Sequence, residues 1–196
     1  MGDIKSALEI AMEKVAKLGT ATEEERLGWK YLPEGETLAA RYLKQEVNLV
    51  AELGQYEENI KRYVLAGAAG VLIRNISLPK DDWAKKTNRK SMDGLKVLKS
   101  DKVGVENVYT KIRRIFNHYT EPGEQQRKQA YAALKADFED KMRKAVQQQM
   151  GSLVEFKIDA ERQPQFQEEW RKVQTRLDSQ YLAHLVEYQH ELSDID

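Results

Sequence analysis

The chain contains no cysteine, which excludes disulfides, thiolate nucleophiles and cysteine-ligated zinc together. Charge of one sign is missing too: Lys plus Arg and Asp plus Glu stand at 32 each, so no net charge steers the whole molecule toward polyanions or acidic membranes. The longest apolar run, 64–73, falls well short of the roughly 20 residues a bilayer requires. The first residues show no basic stretch followed by an apolar core, so a cytoplasmic protein with no membrane partner is expected. Gly-x-Gly-x-x-Gly, Gly-x-x-x-x-Gly-Lys and Gly-x-Ser-x-Gly are absent, which removes the glycine-rich phosphate cradles and the strained serine nucleophile.

What the sequence has is helical periodicity. Charged residues make up 33%, above the roughly 25% usual for globular chains, as long helices with wide solvated faces require. Apolar residues, at 41%, suffice for a core. In the closing stretch Phe166, Trp170, Val173, Leu177, Tyr181, Leu185, Tyr188 and Leu192 recur at steps of three and four, the pattern of one long amphipathic helix. Extended to Ile195, the stripe makes eight steps over 29 residues, a mean near the 3.6 of a straight helix, so no supercoil is demanded. Leu182 and Val186 widen the stripe, which implies more than one neighbour. These eight stripe residues are the candidate interface, and a homo-oligomer is expected.

Upstream, Ile4, Leu8, Ala11, Val15 and Leu18 mark a first helix, and Thr22 with Glu25 forms a capping-box pair opening a second. Pro33 either kinks that helix or restarts it. Leu49 to Val71 continue at helical spacing, and Gly67-Ala68-Ala69-Gly70 leaves a bare patch that another helix can approach closely. Three regions follow: N-terminal helices over 1–79, a basic linker or short helices over 80–102, and C-terminal helices with a long hairpin over 103–196. Glu121-Pro122-Gly123 breaks helix. Val154, Phe156 and Ile158 alternate with charged residues, which makes 153–158 a strand candidate, read either as a connector laid on the helices or as a strand paired with its copy. Pro164 suits the first turn of the last helix. The expected fold class is all-α, a helical bundle with a long C-terminal αα-hairpin.

Ile4-Lys5-Ser6-Ala7-Leu8-Glu9-Ile10-Ala11, Leu38-Ala39-Ala40-Arg41-Tyr42-Leu43, Ile76-Ser77-Leu78-Pro79 and Pro164-Gln165-Phe166-Gln167-Glu168 with Gln180-Tyr181 resemble an uncharacterised bacterial family of helical proteins, a domain of unknown function. The resemblance spans nearly the whole chain, but it consists of helix faces and caps. It implies a shared architecture in cytoplasmic proteins, with no activity and no site residues to carry over.

Glu187 and His190 have the i, i+3 spacing of carboxylate-bridged metal sites, but neither His118 nor His184 follows a Glu by three residues. Half the ligand set is missing, and no metal or cofactor is expected. From 80 to 119 eleven cations face five carboxylates, a local net of +6. Lys85, Lys86, Arg89, Lys90, Lys111, Arg113 and Arg114, with Trp83, Tyr109 and Tyr119 nearby, are candidates for weak, nonspecific phosphate contact and base stacking. No reading head such as a helix-turn-helix accompanies them. The expected function is a non-catalytic helical interaction or scaffold protein that self-associates; a nucleic-acid-associated protein using 80–114 is the alternative.

Overall fold

The computed structural model describes residues 22–150 and 159–196. Over them the fold is all-α, with α1 at Glu23–Leu43, α2 at Leu49–Leu53, α3 at Glu58–Arg74, α4 at Asp82–Leu98, α5 at Lys102–Thr120, α6 at Pro122–Met150 and α7 at Pro164–Asp194. No strand occurs among the described residues; the first-helix and 153–158 readings fall outside them. The chain divides into two compact units, Met1–Leu72 and Ile73–Asp196.

In the first unit, Thr22 and Glu25 make the expected reciprocal box: Glu25 N–H donates to Thr22 Oγ1 at 3.2 Å and Thr22 N–H to Glu25 Oε2 at 2.8 Å. Pro33 neither stops nor restarts α1, which runs through it. The segment from Leu49 onward, read as continuous, is split into α2 and α3 around Gly54. The bare patch acts as expected. A Cβ on Gly67 would overlap the Leu32 carbonyl, and one on Gly35 would overlap that of Val64, so α1 and α3 cross backbone to backbone.

In the second unit, Lys111 meets Glu191, His118 meets Tyr181, and Tyr131 meets Trp170 and Phe166. Rising numbers on one side answer falling numbers on the other. Thus α5 and α6 both run antiparallel to α7, α5 covering its C-terminal half and α6 its N-terminal half. The hairpin is therefore a long α7 spanned by two consecutive helices that join at the predicted break, with Pro122 opening α6.

Over 80–102, read as a basic linker or short helices, the chain forms α4, one helix of 17 residues. Its inward line is Ala84, Asn88, Ser91, Met92, Leu95 and Leu98, and three of those six are too small or polar to register as an apolar stripe. Asn88 belongs in the core because Ser77 satisfies it, with Ser77 N–H donating to Asn88 Oδ1 at 2.8 Å and Asn88 Nδ2 donating to the Ser77 carbonyl at 2.6 Å. Asp81 caps the helix by accepting from Ala84 N–H at 2.7 Å. At the far end of α7, Lys99 Nζ donates to the Ser193 and Ile195 carbonyls, which lack helical partners of their own.

Candidate functional site

The helical period of α5 puts Val105, Val108, Tyr109, Ile112 and Tyr119 in the core and leaves Lys111, Arg114, Ile115 and His118 on the adjacent face. That face and α7 bound an open groove of about 890 Å³. Four of the eight predicted interface residues, Val173, Leu177, Tyr181 and Tyr188, line it. Phe166, Leu185 and Leu192 are instead buried within the unit, and Trp170 packs edge-on against Tyr131 at 5.0 Å between centroids. Half of the stripe is thus consumed inside the chain. Leu182 and Val186, 43% and 48% exposed, lie outside the groove lining.

Polar contacts fix the groove's end. His118 Nδ1 lies 2.8 Å from Tyr181 Oη, and the Tyr181 ring meets Tyr119 edge-on at 5.2 Å. Gly123 makes room for this pair: a Cβ there would stand 2.8 Å from Tyr181 Oη and 3.1 Å from the His118 carbonyl. Lys111 Nζ donates to Glu191 at 2.7 Å and sits 5.4 Å from the centre of the Tyr188 ring. The Glu191 hydrogen bond pushes its ammonium above the usual lysine value. Arg114 and Arg176 reach the rim with no carboxylate among the lining residues.

The basic candidates do not form one strip. Lys85, Arg89 and Arg113 line a second groove of about 450 Å³ between α4 and α5, whereas Lys111 and Arg114 face α7. Arg113 is spent on Glu106, at 2.6 Å, and Lys96 holds the same carboxylate at 2.6 Å. These two cations pull Glu106 down to about 2, Arg113 contributing most. Lys85 pairs with Asp82, Lys86 is exposed and Lys90 is half-buried. Of the expected stacking aromatics, Tyr109 is fully buried, its hydroxyl donating to the Met92 carbonyl at 2.7 Å, and Tyr119 is buried as well. Only Trp83, 71% exposed, presents a ring to solvent. Among the described residues no three His, Cys, Asp or Glu side chains gather as a metal site, and no helix is long and apolar enough to cross a membrane.

Residue-by-residue reading overlooked Asp178. It is 5% exposed and pairs with Lys80 Nζ at 2.6 Å through Oδ2. Its signal was available: Asp178, Leu185 and Leu192 are spaced by seven, so an acid stands on the buried line of α7.

A family described as "Family of unknown function (DUF6657)" matches residues 50–194. No curated protein and no solved structure matches the chain.

Proposed function

We propose that this chain, which belongs to the family of unknown function DUF6657, is a non-catalytic, cytoplasmic helical interaction protein that self-associates through its last helix. The groove between α5 and α7 carries the reading, because its apolar floor of Leu177, Tyr181 and Tyr188 is left half-buried beneath a rim where Arg114 and Arg176 meet no carboxylate of the lining. The occupant is the α7 of a second copy, laid antiparallel across the groove mouth. Arg176 and Gln180, which line the groove, and Ala183 and Glu187 follow one another at steps of four, three and four along one line of α7. A two-fold axis between Tyr181 and Leu182 sets Arg176 of each copy opposite Glu187 of the other, and Gln180 opposite Ala183, whose small side chain permits close approach. One isologous contact then answers the Arg176 of both copies.

Light scattering on the full chain tests this. The expected mass is twice the 22.7 kDa of one chain. Arg176→Glu and Glu187→Arg should each weaken association, and the two reversals together should restore it, because only paired charges exchange roles. A single-chain mass at all concentrations, or double reversal without rescue, overturns the reading. Duplex binding that falls steeply with salt and is abolished by Arg114→Glu would replace it with the polyanion alternative.

A further inference from the structure

Beyond the self-association face and the groove between α4 and α5, a third cleft in the Ile73–Asp196 unit has the composition of an anion site. It holds about 780 Å³, and side chains from α4, α5, α6 and α7 converge on it. Four cations line it, Lys80, Lys85, Arg127 and Arg171, against two carboxylates, Asp178 and Glu124. Glu124 is taken by Lys128 at 2.6 Å and Lys85 by Asp82 at 3.2 Å, both partners outside the lining, which leaves Lys80, Arg127 and Arg171 against Asp178. Neither Arg127 nor Arg171 has a carboxylate in ion-pair contact among the described residues.

The cations are held ready. The Arg127 guanidinium lies 4.0 Å over the centre of the Tyr119 ring, and its Nη2 donates to the Tyr119 carbonyl at 2.9 Å. Lys80 is aimed by Asp178, which takes one of its three ammonium donors and leaves the others to the cleft. Stability alone is a poor reason for this pair. Lys80 is 57% exposed, so the pair gains little against the cost of burying Asp178, whose Oδ1 has no hydrogen-bond partner among the described residues. The Tyr119 phenol, pushed up to about 12 by burial first and Asp178 next, adds no negative charge.

We infer that this cleft binds a small organic phosphomonoester, its dianionic phosphoryl group held by Arg127, Arg171 and Lys80. A dianion cancels the surplus of two positive charges, which a single carboxylate does not. Paired guanidiniums match phosphoryl oxygens in a bidentate manner. The volume lies in the range of roughly 300–1,000 Å³ usual for small-molecule sites, so an organic moiety fits beside the phosphoryl group against Gln174 and Thr175.

Calorimetry on the full chain, with inorganic phosphate and glycerol 3-phosphate as probes and acetate at equal ionic strength as control, tests the site. Saturable binding of either phosphate probe, and none of acetate, is expected. Arg171→Gln, at an exposed and unpaired position that leaves the fold intact, should weaken binding by about tenfold or more, as should Arg127→Gln. Lys144→Gln, outside the cleft and exposed on α6, should change nothing. No saturable binding of either phosphate probe, equal binding of acetate, or the same loss on Lys144→Gln overturns the proposal. So does full affinity in the Arg171→Gln variant with an unchanged circular dichroism spectrum.

Discussion

Gly35 and Gly67 are reciprocal across the crossing of α1 and α3, each lying where a Cβ would overlap a backbone carbonyl of the other helix, that of Val64 and that of Leu32. A Cβ on Gly35 would also come within 2.9 Å of Ala68 N, and one on Gly67 within 3.0 Å of the Leu32 carbonyl carbon. Backbone cannot swing aside as a side chain can. Gly67→Ala should therefore cost about 1–3 kcal/mol or more through overpacking, despite alanine's better helix propensity. Gly54→Ala, whose Cβ would meet nothing closer than 3.5 Å, should be nearly neutral. Urea denaturation of both variants checks the contrast.

Gln45 ends α1 with φ of 67°, in the left-handed region that glycine prefers. Glu46 N–H donates to Arg41 O at 3.0 Å and Gln45 N–H to Tyr42 O at 2.9 Å, the two bonds of a Schellman end. Gln45→Gly should stabilise by roughly 0.5–1 kcal/mol, after allowing for the extra entropy of an unfolded glycine. A lower denaturation midpoint would contradict that.

Glu106 yields a pH dependence. Its folded value near 2 lies below the ordinary 4.5, so its ion pairs stabilise fully above about pH 4.5 and lose that contribution as pH falls toward 2. Glu106→Gln should flatten part of the acid-side decline in that window and lower stability modestly at neutral pH. All three side chains are more than a third exposed, so the effect should be small and shrink with added salt. Denaturation at neutral pH and near pH 3, at two salt concentrations, measures it.

Tyr109→Phe removes the buried hydroxyl that donates to Met92 O and should cost about 1 kcal/mol without altering helix content. Equal midpoints for the two proteins would mean that the bond contributes nothing net.

Helix ends and apolar lines were legible because their causes are local. The Thr22–Glu25 box, the break at Pro122, Pro164 at a first turn, and the small patch at Gly67 need only neighbours a few residues away. α4 was not legible, because its core line includes Asn88 and Ser91, and Asn88 is satisfied by Ser77, 11 residues earlier in the chain. The aromatic candidates misled for a related reason: Tyr109 and Tyr119 sit among basic residues in sequence, yet the helical period turns them to the core while Lys111 and Arg114 turn outward.

The sequence by itself determined that the chain is helical, where most helices begin, and which line of α7 is apolar, since backbone hydrogen bonding and the 3.6-residue period act within a few turns. Tertiary structure alone decided what covers that line. α5 and α6 divide α7 between them, and the basic residues are parted into separate grooves. Ties such as Lys80 with Asp178, and Gln189 Nε2 with the Ile76 carbonyl at 2.8 Å, join residues about a hundred positions apart. No periodicity records such a pairing, because it depends on how finished helices pack and not on how each one forms.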